Sequence, residues 1–467
     1  MIKESWKGKK VVILGFGQYA QGSGVAATHY FAKQGADVTV QDFYYSKAME
    51  PHVKLVQKKF PRVKFIFSTH DLSIFPGADL VVKHQRLRQS EPEVQEVVRL
   101  GLRMESAESV FLKLCPCPVV GVTGTRGKST TTTLTHEMLS QGTRRVWLGG
   151  NILVSPLTFL SKIKKDDLVV LELSSFQLEG TGSSGVSPHI ACVTNIMHDH
   201  LNAYSGMEEY AEAKAQIFRH QSPSDVVVLN ADDATDRQFA KEAPGEVLLF
   251  AKKPTKTAQA WLTEETLALR GETLVKKSDL HVAGEHLYLN MLAASLLASA
   301  AGASVVQIRR TLKSFRGLPD RQEVVAVKQG ITYINDTCAT TPDGAIAAIK
   351  TFDTLRGTLG GTRKGTLRLI LGGSDKELIF DGLAKELKRR HIDIVVLPGN
   401  AHDKLTGALA AHKVPYQDVE TLKEAVAVLR DHAKRGDTIL LSPACTSFGM
   451  FANEFARGDE FRKCVRG

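Results

Sequence analysis

The 467-residue sequence lacks the features of a membrane protein and of a disulfide-rich protein. No stretch reaches the roughly 18 consecutive uncharged apolar residues that a membrane-spanning helix requires. The first apolar run, Val11 to Leu14, is ended by Gly15, which predicts a strand and not a signal peptide. Of the six cysteines only Cys115 and Cys117 lie close together, with no second pair at zinc-finger spacing. We therefore expect free thiols, no membrane span and a cytoplasmic location.

A concentrated basic patch is also missing. The formal charge of +10 comes from 60 Lys and Arg against 50 Asp and Glu, and the basic residues are dispersed along the chain. A phosphate-rich small substrate explains this excess as well as a nucleic acid does. We expect a monomer that acts on small molecules and binds no nucleic acid. The 43% apolar and 24% charged fractions are typical of a globular protein, and the length suits two or three domains.

Short apolar runs alternate with polar, helix-like stretches along the chain in three successive cycles. The first cycle begins at Val11, the second at Pro118 and the third near Val324. This alternation is typical of parallel sheets wound with helices. A Pro-rich segment precedes the second cycle, and Gly-Leu-Pro at 317–319 precedes the third. The sequence predicts three consecutive α/β domains, at residues 1–113, 114–317 and 318–467.

A glycine-rich segment, Gly121 to Thr130, joins the strand predicted after Pro118 to the start of a Thr-rich helix. Its glycines would let the backbone approach a phosphate, and Lys128 would reach the terminal phosphates. The Ser129 hydroxyl would bind Mg²⁺. The strict G-x-x-x-x-G-K-[ST] pattern fails at one position, because Val122 stands where its first glycine would be. The shorter core is intact between a strand and a helix, which favours an ATP site over a plain glycine-rich turn.

Two later segments follow predicted strands and carry side chains that could bind a metal. Glu172 follows the strand Leu168 to Leu171, and a carboxylate at the carboxyl end of a sheet strand is placed to hold a metal ion. His198 and His200 follow the next strand, either as ligands or as loop histidines without a role. Lys214 lies in an amphipathic stretch, whose pattern alone predicts a solvated surface side chain.

Taken together and in order, these segments resemble the Mur ligase family, and the resemblance extends across the whole chain. The segments are the phosphate loop, Glu172 to Leu178, Asn195 to Leu201, Gly284 to His286, Asp320 and Arg321, Asn335 to Thr337 and Leu441 to Ser447. Ser174 to Leu178 and Ser442 to Phe448 resemble the branch that adds D-glutamate. The resemblance implies a Rossmann-like UDP-binding domain, a P-loop ATPase-like central domain and a Rossmann-like C-terminal domain that binds the amino acid.

The resemblance also implies roles for single residues. Lys128 would contact the γ-phosphate, and Ser129 with Glu172 would hold one Mg²⁺. Glu172, His200 and a carbamylated Lys214 would hold a second, which replaces the surface assignment of Lys214. Carbamylation turns the ammonium into an oxygen ligand, which a hard cation prefers. The implied ATP contacts are Gly124, Thr125, Arg126, Gly127, Lys128, Ser129, Thr130, Asn290, Arg321 and Asp336.

The substrates implied by the resemblance are UDP-N-acetylmuramoyl-L-alanine and D-glutamate. The turn that contains Gly15 and Gly17 would bind the UDP diphosphate, with Asp42 near the uridine and Asn151 near the muramyl group. D-glutamate has two carboxylates, which need a cation and hydroxyl donors. The implied D-glutamate contacts are Thr340, Lys376 and Ser447.

Four positions depart from the family pattern. Lys83 to Arg86 stand where a Ser- or Asn-Pro-Gly is usual, and Leu287 follows His286 where relatives have an asparagine. Cys338 replaces a lysine, and Asn453 to Phe455 change the usual Asn-aromatic-acid order. None of these removes a phosphate or metal group. The first of them alters the segment that is expected to recognise UDP.

The implied reaction is ATP-dependent amide formation through an acyl phosphate, in cytoplasmic peptidoglycan precursor synthesis. An amine does not attack a free carboxylate at a useful rate, so the carboxylate oxygen must first become a leaving group. Three alternatives remain open from the residues. They are a family ligase that adds another amino acid, a nucleotide-binding regulatory protein without turnover, and an NAD-dependent oxidoreductase that uses the turn Gly15 to Ala20. The last would leave the phosphate loop idle.

Overall fold

The computed structural model describes residues 5–152, 154–200, 203–354, 365–390 and 392–466. Its chain forms three successive sheets, and helices connect most of the parallel strands. The chain divides into two compact units. The first contains Met1–Asp199, Tyr204–Asp279 and Leu289–Ser314, and the second contains His200–Ala203, Leu280–Tyr288 and Phe315–Gly467. The first two sheets belong to the first unit and the third sheet to the second.

The first sheet has five parallel strands. They are β1 (Lys10–Leu14), β2 (Asp37–Asp42), β3 (Lys64–Phe67), β4 (Leu80–Lys83) and β5 (Met104–Glu105), with helices α1 (Ser23–Lys33), α2 (Glu50–Lys59), α3 (Pro92–Arg99) and α4 (Ala107–Leu114). Alternate residues of β1 pack into two different hydrophobic cores, Ile13 into one and Leu14 into the other. The strand order β3-β2-β1-β4-β5 changes direction between β1 and β4. In doubly wound sheets, ligands bind in the crevice at such a point, outside the carboxyl ends of the strands.

The second sheet has nine strands in the order β14-β13-β12-β11-β10-β9-β6-β8-β7. The strands are β6 (Val119–Thr123), β7 (Val146–Gly150), β8 (Leu168–Glu172), β9 (Ile190–Val193), β10 (Val226–Asn230), β11 (Glu246–Ala251), β12 (Ala260–Leu262), β13 (Thr266–Leu269) and β14 (Glu272–Lys276). The helices are α5 (Lys128–Ser140), α6 (Ser175–Ser183), α7 (Met207–Arg219), α8 (Ala234–Glu242), α9 (Glu285–Ala300) and α10 (Val305–Ser314). In the parallel pairings of β6, Val122 lies beside Glu172 and Thr123 beside Val193. The carboxyl ends of β6, β8 and β9 therefore meet at one edge.

The third sheet has six strands in the order β15-β16-β20-β17-β18-β19, of which β15 is antiparallel. The strands are β15 (Glu323–Lys328), β16 (Ile331–Asn335), β17 (Leu367–Gly372), β18 (Ile392–Leu397), β19 (Gln417–Asp418) and β20 (Thr438–Leu441). The helices are α11 (Pro342–Thr354), α12 (Asp381–Lys388), α13 (His402–Ala411), α14 (Leu422–His432) and α15 (Glu454–Arg466). Two hydrophobic cores cover its faces, with Leu369 in one and Ile370 in the other.

The predicted α/β fold with three sheets is confirmed, while the domain boundaries stay predictions. The boundary at 113 falls in the last turn of α4, and the boundary at 317 falls between α10 and β15. The sequence did not predict the antiparallel strands β12 to β14, which extend the edge of the second sheet. All six cysteines are free thiols. In the described part of the chain, no helix is long and apolar enough to span a membrane.

Candidate active site

The phosphate loop connects β6 to α5 through two glycines that other residues could not replace. Gly124 has a φ of 139° and Gly127 a φ of 81°. Residues that have a side chain rarely adopt these backbone angles. A Cβ on Gly124 would lie 2.0 Å from Oγ1 of Thr194, and one on Gly127 would lie 2.2 Å from Oδ1 of Asn290. The predicted ATP contact Asn290 therefore lies directly beside the loop. It is buried, in α9.

Residues that follow β9 hold the loop in shape. Asn195 accepts hydrogen bonds from the backbone N–H groups of Thr125, at 2.9 Å to its carbonyl oxygen, and of Arg126, at 2.9 Å to Oδ1. The Thr194 hydroxyl donates to the Arg126 carbonyl at 2.5 Å. Sequence reasoning gave Thr194 and Asn195 no role. The available signal was two polar residues at the carboxyl end of a buried strand, beside the strand that carries the loop.

Lys128 and Ser129 lie in the first turn of α5, where backbone N–H groups without helical partners can bind an anion. The Lys128 ammonium donates to the carbonyls of Gly124 at 3.0 Å and Thr125 at 3.1 Å, which fixes it at the loop. Thr130, the next predicted ATP contact, is buried in the same turn. The loop and the helix start thus provide a cation, backbone N–H groups and hydroxyls at one place.

Glu172 ends β8 and is 3% exposed. Its Oε1 accepts a hydrogen bond from Nδ2 of Asn151 at 3.0 Å, whereas the buried Oε2 has no hydrogen-bond partner among the described residues. A buried carboxylate oxygen without a hydrogen-bond partner suits a hard cation, because such cations take oxygen ligands. Asn151 was predicted to lie near the muramyl group, and the structure places its amide on this carboxylate.

Lys214, in α7, is 2% exposed, so the surface position predicted from the local pattern is wrong. Its ammonium donates to the Gly124 carbonyl at 3.0 Å, the same oxygen that accepts from Lys128. The ammonium also lies 4.7 Å from the ring centre of Tyr210. Burial, followed by the charge of Lys128, lowers the pKa of Lys214 well below the usual lysine value. The lowered pKa favours the neutral amine, which is the form that can react with CO₂.

No group of three or more His, Cys, Asp or Glu side chains that could hold a metal ion occurs among the described residues. A metal at the edge of the second sheet would therefore also need ligands such as Ser129 or a modified Lys214. His198 is exposed, and His200 is half-buried with a φ of 55°. Leu201, the last residue of the segment Asn195 to Leu201, lies outside the described residues. The metal role of His200 stays a prediction.

Two predicted ATP contacts, Arg321 and Asp336, lie in the second compact unit. Asp336 is buried at the end of β16, where Oδ2 accepts from the Ser442 hydroxyl at 2.8 Å. Its Oδ1 accepts from the backbone N–H of Gln322 at 3.2 Å. Arg321 is half-buried beside this backbone group. Arg321 thus precedes β15, and Asp336 follows β16, in the third sheet.

The same unit contains an open cavity of about 810 Å³. Lys376 and His200 are among its lining residues, together with Thr446 and Phe448. Ser447 lies between the last two and is buried, and its hydroxyl has no hydrogen-bond partner among the described residues. Of the predicted D-glutamate contacts, Lys376 lines the cavity and Ser447 adjoins its wall in sequence. Thr340 is half-buried after β16 and is not among the described lining residues.

The first sheet carries its predicted ligand turn after β1. The Asp42 carboxylate accepts hydrogen bonds at Oδ2 from the backbone N–H groups of Phe16, at 2.8 Å, and Gly17, at 3.2 Å. Its Oδ1 accepts from the N–H of Tyr44 at 2.9 Å. Asp42 therefore holds the turn of Gly15 and Gly17 closed. Its predicted contact with uridine stays a prediction.

Comparison with known proteins gives matches along almost the whole chain. Residues 122–298 match the Mur ligase middle domain, and residues 320–445 match the Mur ligase glutamate ligase domain. A UDP-N-acetylmuramoylalanine–D-glutamate ligase from Roseiflexus sp. (strain RS-1) is 38% identical, over 98% of both chains. The chain belongs to the Mur ligase family. A relative of the same name from Acetivibrio thermocellus is 36% identical, over 99% of this chain and 97% of its own.

Solved structures of Mur ligases share the fold. The UDP-N-acetylmuramate-alanine ligase from Thermotoga maritima matches with a TM-score of 0.62 and 20% identity, over 98% of this chain and 99% of its own. A Mur ligase from Acinetobacter baumannii, UDP-N-acetylmuramoylalanyl-D-glutamyl-2,6-diaminopimelate–D-alanyl-D-alanyl ligase, matches with a TM-score of 0.61 and 17% identity, over 98% and 93%. At these identities the likeness concerns the fold alone, and it agrees with the three sheets described above.

Proposed function

We propose that this Mur ligase joins D-glutamate to UDP-N-acetylmuramoyl-L-alanine with conversion of ATP to ADP and phosphate, in the cytoplasmic synthesis of peptidoglycan precursors. The observation that carries the proposal is the pair of lysines at Gly124. Lys128 and the buried Lys214 both donate to its carbonyl, on a phosphate loop that begins a helix. The loop, the helix start and the Lys128 ammonium can bind and neutralise the phosphates of a nucleotide triphosphate. The relatives named as D-glutamate ligases support the choice of substrates.

The chain's own groups would act first by positioning. Lys128 and the N–H groups at the start of α5 would bind the phosphates of ATP and stabilise the charge that develops on the transferred phosphoryl group. The alanyl carboxylate then attacks the γ-phosphorus, and ADP leaves. Asn195 and Thr194 would keep the loop in the shape that this transfer needs, because they bind its backbone. The first product is an acyl phosphate.

We propose two Mg²⁺ sites at the edge of the second sheet. Ser129 and Glu172 would hold one ion, and Glu172, His200 and a carbamylated Lys214 would hold the other. The unpartnered Oε2 of Glu172 supports a cation at this place, and the lowered pKa of Lys214 supports its carbamylation. Bound Mg²⁺ would neutralise phosphate oxygens during transfer. Asn290 from beside the loop, with Arg321 and Asp336, would complete the ATP contacts.

The amino group of D-glutamate would attack the acyl phosphate and release phosphate. Lys376, Thr340 and Ser447 would bind its two carboxylates, since these need a cation and hydroxyl donors. The unpartnered hydroxyl of Ser447 supports this assignment, as does the cavity that Lys376 lines. The match of residues 320–445 to a glutamate ligase domain also favours glutamate over another amino acid.

A substrate panel tests this proposal. Phosphate release from ATP should require UDP-N-acetylmuramoyl-L-alanine together with D-glutamate, and L-glutamate, L-alanine and a diamino acid should not replace D-glutamate. The measurement is continuous detection of phosphate with each amino acid in turn, each also without the UDP substrate. Release with another amino acid would keep the family and change the product. ATP binding without release under any combination would favour a regulatory protein.

A further inference from the structure

The segment after β4 departs from the family pattern and lies at the crevice of the first sheet. His84 continues β4, because its backbone N–H donates to the Leu14 carbonyl at 2.8 Å. A Cβ on Gly15 would lie 2.6 Å from Cβ of His84, so the glycine leaves room for this side chain. The imidazole therefore packs against the turn after β1. This turn is where the UDP diphosphate is predicted to bind.

Local hydrogen bonds fix the orientation of the ring. The backbone N–H of Arg86 donates to Nδ1 of His84 at 3.2 Å, so Nδ1 is the unprotonated nitrogen and Nε2 carries the hydrogen. Nε2 lies 3.9 Å from a Cβ placed on Gly17. The Lys83 ammonium donates to the Leu87 carbonyl at 2.8 Å, which closes the segment into a turn. A fixed N–H donor therefore lies at the glycine turn.

The surroundings of this donor suit an anion. The pKa of His84 is lowered to about 4, mainly by burial and further by the charges of Arg86 and Lys83. The effect of these two charges places positive potential at the imidazole. The nearby Asp42 carboxylate is occupied by three backbone N–H groups. Helix α1 begins beside the turn, since a Cβ on Gly24 would lie 2.1 Å from the Gly15 carbonyl. Its 11 residues start without a side-chain cap.

We propose that Nε2–H of His84 donates a hydrogen bond to the diphosphate of the nucleotide substrate, with Arg86 supplying positive charge at the same place. Nε2–H can only donate a hydrogen bond, and it lies near cations and the start of α1. It therefore suits phosphate oxygens, which only accept, better than the edge of uracil, which carries both donors and acceptors. The segment Lys83 to Arg86 thus recognises UDP through the His84 imidazole and the Arg86 charge, in place of the Ser- or Asn-Pro-Gly that is usual in the family. This inference rests on the proposed function, which supplies the UDP substrate.

The test measures UDP affinity by calorimetry with the full chain. His84→Ala should weaken UDP binding by roughly 10- to 100-fold, the loss of a hydrogen bond to a charged group. It should raise KM for UDP-N-acetylmuramoyl-L-alanine by a similar factor and leave kcat and the KM for ATP unchanged. His84→Gln, which keeps a side-chain N–H, should retain part of the affinity. Arg86→Ala should weaken UDP binding mainly at low salt, because an exposed charge is screened.

The matched control is His29→Ala, which removes another half-buried imidazole, on helix α1 beside the first sheet and packed against Phe60. It should leave UDP affinity unchanged. A folded His84→Ala variant that binds UDP within twofold of the wild type would overturn the inference. If both His84 variants fail to fold, UDP added to ¹⁵N-histidine-labelled wild type must shift the Nε2 resonance of His84, and no shift overturns it. A wild type that binds neither UDP nor the UDP substrate would also refute the proposed function.

Discussion

Lys128→Ala is expected to lower kcat for phosphate release by about three orders of magnitude while the chain stays folded. The ammonium is the cation that the phosphate loop fixes through the carbonyls of Gly124 and Thr125. Its removal leaves the negative charge of the transferred phosphoryl group without this partner. The side chain is half-buried in the first turn of α5 and not part of a hydrophobic core, so the thermal unfolding midpoint should change little. The measurements are steady-state phosphate release and thermal unfolding.

Lys165→Ala is the matched control, because it removes an exposed lysine of the same compact unit. It should retain wild-type kcat. Lys128→Arg keeps the charge with a different shape and should recover a small part of the activity. If Lys128→Ala releases phosphate at a rate within tenfold of the wild type, the loop is not the ATP site and the assignment fails.

Lys214→Ala is expected to lose activity by on the order of 100-fold or more, with partial recovery in millimolar formate or acetate. The reason is that a carbamate on Lys214 would supply carboxylate-like oxygens to Mg²⁺, which a small free carboxylate can replace in the space left by the side chain. The buried amine is favourable for this modification, because burial and Lys128 lower its pKa. The measurement is phosphate release across a series of carboxylate concentrations.

Removal of CO₂ gives an independent check on the same lysine. The wild type, dialysed in CO₂-free buffer at mildly acidic pH, should lose activity and regain it when bicarbonate is added. Lys241→Ala, an exposed lysine on the neighbouring helix α8, should behave as the wild type does throughout. Full activity of Lys214→Ala without any added carboxylate would show that Lys214 carries no metal ligand. It would then serve only to hold the Gly124 carbonyl.

The sheets could be predicted because parallel strands covered by helices on both faces give continuous apolar runs. All five residues of β6, Val119–Thr123, are buried, and the sequence shows this directly. Strands β12 to β14 are short and pair in an antiparallel arrangement at a sheet edge. Their local sequence pattern does not reveal which strand of the sheet they pair with. For this reason the sequence does not predict this edge of the second sheet.

The buried position of Lys214 follows from the spacing of its apolar neighbours, although a lysine in an amphipathic helix is normally exposed. Tyr210 and Phe218 stand four residues before and after it, and both are buried on α7. That spacing puts all three side chains on one face of a helix. The contact of Asn151 with Glu172 is a different case, since it joins the ends of two strands. No local pattern encodes which strand ends will meet.

The origin of the oxygen in the released phosphate tests the central claim, which is that the chain activates a carboxylate by phosphorylation. UDP-N-acetylmuramoyl-L-alanine with both alanyl carboxylate oxygens replaced by ¹⁸O should be turned over with ATP and D-glutamate, and the phosphate analysed by mass spectrometry. Attack of the carboxylate on the γ-phosphorus predicts one ¹⁸O atom in each phosphate released with product. Unlabelled phosphate at the same rate of product formation would contradict an acyl phosphate and the account built on it.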